Sequence, residues 1–155
     1  MTQLRFTYLV FGLITFLAVG VITPNAGAGD GPRGRVFTDS DVRGAYAFSF
    51  QGTIIEVGPI AATGVLVADG KGNITKGIRT LNVNGFPAQQ TFTCSYSVNP
   101  DGTGSAVCPV DTPLPGAPLV ETFDFVLEER ARGFRFVGTT LGITVIGSGM
   151  KQYTP

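Results

Sequence analysis

From Gly44 to the C-terminus, apolar and polar residues alternate in short runs, and the runs stop at glycines. This pattern constrains the fold more than any other feature of the chain. Side chains of a strand point alternately to opposite faces, so period-two alternation marks a strand with one buried face. "GAYAFSFQG" puts Tyr46, Phe48 and Phe50 on one face. "IAATGVLVADGKGN" reads as a strand ending in a turn at Asp69-Gly70, and "ITKGIRTLNVNG" stops at Asn84-Gly85. "LVETFDFVLEE" sets Leu119, Glu121, Phe123, Phe125 and Leu127 on one face, "GFRFVGTT" aligns Phe134 with Phe136, and "GITVIGSGMKQY" closes the chain. The 22 glycines and 10 prolines break most helical windows. The prediction is an all-β domain of about eight strands. Short turns between evenly spaced strands favour an antiparallel meander, and closure into an up-and-down barrel removes the exposed edges. A two-sheet β-sandwich is the alternative that the spacing leaves open.

The two cysteines test this reading locally. They flank Pro100-Asp101-Gly102 in "TFTCSYSVNPDGTGSAVC". Proline presets φ and glycine accepts φ > 0, so the tripeptide marks a turn. Before it, Phe92, Cys94, Tyr96 and Val98 alternate with Thr and Ser; after it, Gly104, Ala106 and Cys108 share one parity. A hairpin folded about Asp101 sets Cys94 opposite Cys108, each seven positions from the turn. Opposite Cα atoms lie roughly 4.5–5.5 Å apart, a span that a disulfide tolerates. A Cys94–Cys108 disulfide is therefore expected, with two buried free thiols as the alternative. Two cysteines and no histidine are too few soft ligands for zinc.

The N-terminus reads as an export signal over residues 1–28. Arg5 precedes an apolar run from Phe6 to Ile22, Pro24 breaks it, and Ala26-Gly27-Ala28 supplies a cleavage site. The run has 17 residues, near the lower limit for a membrane span, so a retained anchor is the alternative. Cleavage leaves 127 of the 155 residues, enough for one domain with a core. Residues 29–43, rich in Gly, Asp and Arg, read as a flexible lead-in, and residues 44–155 as the barrel domain. Losing Arg5 leaves ten basic against eleven acidic residues, a net charge of −1. That balance offers nothing to nucleic acid, and no basic amphipathic stretch holds a membrane surface after cleavage. Export to the periplasm, cell surface or medium is expected, which suits a disulfide.

Sequences that suggest ion or phosphate sites read more simply as turns. Asp69-Gly70-Lys71-Gly72-Asn73 imitates the oxygen spacing of a calcium loop. Lys71 occupies the third ligand position, however, Ile74 replaces the required glycine and Thr80 the bidentate glutamate. No metal or other cofactor is expected. The glycine-rich turns lack the Gly-Lys-Ser/Thr of a phosphate loop. "NIT" at Asn73 matches a glycosylation acceptor, a tripeptide common by chance.

"GAYAFSFQG", "GVLVADGKGNITKG" and "FTCSYSVNPDGTGSA" together resemble a class of small exported bacterial β-proteins of unassigned function. The resemblance covers most of residues 44–108 and brings no catalytic residues with it. In architecture alone, the expected shape is similar to the lipocalin, avidin and allene oxide cyclase barrels, and fold does not imply function.

Absences narrow the chemistry. Without histidine there is no Ser-His-Asp or Cys-His arrangement. A disulfide removes the thiol nucleophile. Lack of tryptophan argues against biotin binding of the avidin type and against many sugar-stacking sites. Glu121 shares the parity of Phe123, Phe125 and Leu127. It is either a lumen carboxylate, able to serve as acid or ligand anchor, or a rim residue solvated or paired with an arginine. Tyr46, Gln90 and Tyr96 share parity with apolar positions and, with Phe48, Phe125 and Phe136, are candidate ligand-lining residues. The plainer reading of the aromatic residues is a packed interior; the sharper one is a lumen for one small apolar ligand. The functional expectation is a non-enzymatic exported barrel acting as a binding or assembly module, with a protein partner or self-assembly. Alternatives are a carrier of a small apolar ligand and an isomerase- or cyclase-like enzyme using Glu121 or a tyrosine.

Overall fold

The computed structural model describes residues 35–111, 118–128 and 130–153. The predicted signal, residues 29–34 of the lead-in and most of the proline-rich loop lie outside them. Eight strands run in chain order: β1 (Arg43–Ile54), β2 (Gly58–Asp69), β3 (Asn73–Val83), β4 (Phe86–Val98), β5 (Thr103–Pro109), β6 (Val120–Glu128), β7 (Gly133–Gly138) and β8 (Ile143–Lys151). Each pairs antiparallel with its sequence neighbour, and β8 returns to β1 to close the barrel. The meander is thus a closed barrel and the sandwich is excluded. Among the described residues the one helical element is a 3-10 turn at Asp39–Asp41, and no helix is long and apolar enough to cross a membrane.

The turns form where the sequence demands them. Asn84 and Gly85 both adopt positive φ, 49° and 92°, which suits a two-residue hairpin with the twist of its strands. Asp69 Oδ1 accepts from the backbone N–H of Lys71 (2.7 Å) and Asn73 (3.1 Å), and Oδ2 accepts from Asn73 Nδ2 (3.0 Å). The calcium-like string is therefore held as a hairpin turn by its own aspartate.

The β4–β5 register pairs Ser95 with Val107 and Tyr96 with Ala106. One step further on, Cys94 and Cys108 are disulfide-bonded with their Cα atoms 4.1 Å apart. Non-hydrogen-bonded pairs bring antiparallel strands closest, and the cysteines occupy such a pair. Both are buried. A disulfide fits an oxidising compartment.

The inward faces follow the predicted parities in β1, β4, β5, β6 and β7. Four inward rings face inward glycines on the neighbouring strand: Phe92 opposite Gly77, Phe125 opposite Gly104, Phe136 opposite Gly147 and Phe134 opposite Gly149. A Cβ on any of these glycines would lie 2.3–2.5 Å from the ring tip. Each ring therefore lies along the wall, over a residue with no side chain.

β3 breaks the alternation. Its register shifts against β4 between Ile74 and Gly77. Thr75 and Lys76 are both exposed, Ile74 packs on the core, and Gly77, Arg79, Leu81 and Val83 are buried. The extra residue of the bulge turns the rest of the strand over.

The described part of the lead-in, 35–43, lies against the barrel end where the chain enters. Phe37 N–H bonds to the Pro100 carbonyl at 3.0 Å, and Asp39 Oδ1 accepts from Val98 N at 2.8 Å. Val42 is buried in the core. The β2–β3, β4–β5 and β6–β7 turns share this entry end. The β1–β2, β3–β4, β5–β6 and β7–β8 connections form the far end.

Candidate functional sites in the lumen and at the far end

An ion pair divides the lumen. Arg79 enters from β3 and Glu121 from β6. Arg79 Nη1 and Nη2 donate to Glu121 Oε2 and Oε1, both at 2.7 Å. Arg79 Nε and Nη2 also donate to Gln90 Oε1, at 2.9 and 2.5 Å. The guanidinium carbon lies 5.7 Å from the Phe50 ring centroid and 5.6 Å from that of Phe92. Bidentate geometry and two aromatic faces are what an arginine needs when it leaves water. Its side chain is 4% exposed and that of Glu121 14%.

On the entry side of this pair lies a cavity of about 90 Å³, and on the far side one of about 30 Å³. Arg79, Glu121, Phe50 and Phe123 border both. Of the residues singled out from sequence, Phe48, Tyr96, Glu121, Phe125 and Phe136 line the larger chamber, with the disulfide. Gln90 lines the smaller one. Tyr46 borders neither: at 1% exposure it packs against Phe134, ring centroids 5.7 Å apart, and donates to the Ala131 carbonyl at 3.1 Å. The packed interior is thus interrupted on the entry side, where Phe125, Phe134 and Phe136 keep part of their surface uncovered.

Tyr96 closes the entry side. Its hydroxyl donates to the Val42 carbonyl at 2.7 Å, with the Asp39 carbonyl at 3.2 Å. Burial pushes its pKa up to about 12, and the carboxylates of Asp69 and Asp39 add to the shift. Burial also raises the Tyr46 pKa. Both hydroxyls are thereby held neutral, as hydrogen-bond donors.

Arg79 is not among the lumen residues expected from sequence, because no face was assigned to this strand. The signal was present nonetheless. Ile74 and Ile78 share one parity, Leu81 and Val83 the other, and both sets cannot face the core without a bulge.

The far end is the second candidate. Ile55 (64% exposed), Phe86 (76%), Leu119 (65%) and Leu141 (99%) project from its four connections, flanked by Val57 and Val120. Among the described residues these loops carry Glu56 and Asp111 and no cation. Arg43, Lys71, Arg130, Arg132 and Lys151 sit at the entry end, with Lys76 and Arg135 a short way along the wall. The wall is mixed: β4 exposes the polar row Gln89, Thr91, Thr93, Ser95 and Ser97, whereas Val65, Val67, Ile78, Val126, Val137 and Ile146 are exposed on other strands.

No protein-family model, curated protein or solved structure matches this chain.

Proposed function

We propose that this is an exported, non-enzymatic barrel module that attaches to another protein, or to a second copy of itself, through its apolar far end. The observation that carries this reading is the set of large apolar side chains on all four far-end connections, opposite an end that gathers most of the charged side chains, of both signs. An exposed apolar cluster is kept where something covers it, because it otherwise favours aggregation. The four connections are distant in sequence, and the closed barrel brings their tips to one end. A chain without histidine, with its cysteines joined, supports a binding rather than a catalytic role.

The test is the Leu141→Ser/Phe86→Ser double variant. Both positions are exposed, so the fold should keep its melting temperature. Light scattering over a concentration series and pull-down from the native exported fraction should both register the loss of association. A wild type that stays monomeric and captures no partner removed by the double substitution would refute the proposal.

A further inference from the structure

We infer that the larger lumen chamber is a binding site for one uncharged apolar molecule of about the size of a small aromatic ring. This inference is independent of the far end. The chamber follows from the glycine–ring pairing. Phe92, Phe125, Phe134 and Phe136 would fill the lumen if they stood upright. Each instead lies over a glycine that offers no Cβ to lift it. The space left is about 90 Å³. That is several times the ~10–15 Å³ one water needs, and below the ~150 Å³ of an engineered apolar cavity that binds benzene. A guest of ring size therefore requires the half-buried rings that border the chamber, Phe125, Phe134 and Phe136, to shift outward.

The ion pair selects against charge. Glu121 already engages Arg79 through both oxygens. An anionic ligand would have to displace that carboxylate and leave it buried without its partner. A cationic ligand would meet a guanidinium at the chamber floor. The other walls are apolar: rings, Leu66, Leu127 and the disulfide. Such a surface keeps water out and receives a neutral apolar guest. The Tyr96 hydroxyl is occupied by the Val42 carbonyl, so it adds no polar anchor.

Toluene is the probe, titrated into the exported protein with its disulfide intact. Saturable one-to-one binding is expected, with a rise in melting temperature and nuclear Overhauser contacts from toluene to the rings of Phe125 and Phe136. Ala106→Leu projects extra carbons into the chamber and should weaken binding by about tenfold or more. Gly77→Ala should act the same way by lifting Phe92, since that ring is what the new Cβ meets. Gln89→Ala, on the exposed outer row of β4, should bind as the wild type does. Absence of saturable binding, or contacts confined to the outer-wall valines, overturns the inference. So does unchanged affinity in a folded Ala106→Leu or Gly77→Ala protein. If both variants fail to fold, the contacts in the wild type decide alone.

Discussion

At the scale of the residue, Arg79 carries the largest electrostatic stake. It is inserted through an apolar face and has its charge answered by one carboxylate and one amide oxygen. Removing a single partner from such a pair strands the other charge, whereas replacing both by apolar groups of similar volume can be neutral. Glu121→Gln should therefore lower stability by about 3–5 kcal/mol. The Arg79→Met/Glu121→Leu double variant should recover most of that loss, by urea unfolding in a double-mutant cycle. Equal losses in the single and double variants would show that the pair is not acting as a unit.

Tyr96 gives a pH signature. Its folded pKa, about 12, lies above the ordinary value of 10.0. Above pH 10 the unfolded chain releases the phenolic proton first, so it binds fewer protons than the folded chain and stability falls as pH rises. The contribution is complete below pH 10 and is lost toward pH 12. Denaturation midpoints should decline across that window, and Tyr96→Phe should flatten the decline. At neutral pH the same variant should cost about 0.5–1.5 kcal/mol, the worth of its hydrogen bond to Val42.

At the scale of the element, the β4–β5 hairpin is the part of the molecule most completely specified by local sequence. Its turn residues set the register, and the register sets Cys94 against Cys108. Cross-linking positions 14 apart is worth about 3 kcal/mol in the chain-entropy account. The Cys94→Ser/Cys108→Ser variant should lose about that much. Reduction of the wild type should lower its stability by the same amount. Alkylation of the unreduced, denatured protein should label neither cysteine.

At the scale of the whole molecule, the lumen is tight at some rings and slack at others. Phe48 is 7% exposed and stands against Phe50 and Phe92. Phe48→Ala should cost about 3–5 kcal/mol, because the hole it leaves is only partly refilled. Phe125 borders the same chamber as Phe48 but is only half-buried. Phe125→Ala should cost less, nearer the bare transfer term of about 1.5–3 kcal/mol. Reversible urea unfolding of the two variants, disulfide intact, measures the difference. A solid interior would make the two losses equal.

What the sequence determined by itself was everything that depends on near neighbours. Alternation between glycines announced the strands, because side-chain direction in a strand repeats every two residues. Asn84-Gly85 and Pro100-Asp101-Gly102 placed their turns, and the distance of each cysteine from Asp101 placed the disulfide. Five of the seven residues singled out for the lumen border its larger chamber, because parity on β1, β4, β6 and β7 is unbroken. The tertiary structure decided what depends on pairing at a distance. A bulge is a mismatch between two strands, so the parities of β3 conflict in the sequence, but only its pairing with β4 places the reversal and sends Arg79 inward. Glycines that look like strand breakers became floors for rings on neighbouring strands. The apolar tips of four separate connections came to one end only on closure, since β1 and β8 are far apart in the sequence and pair from Tyr46–Lys151 to Ile54–Ile143 in the barrel.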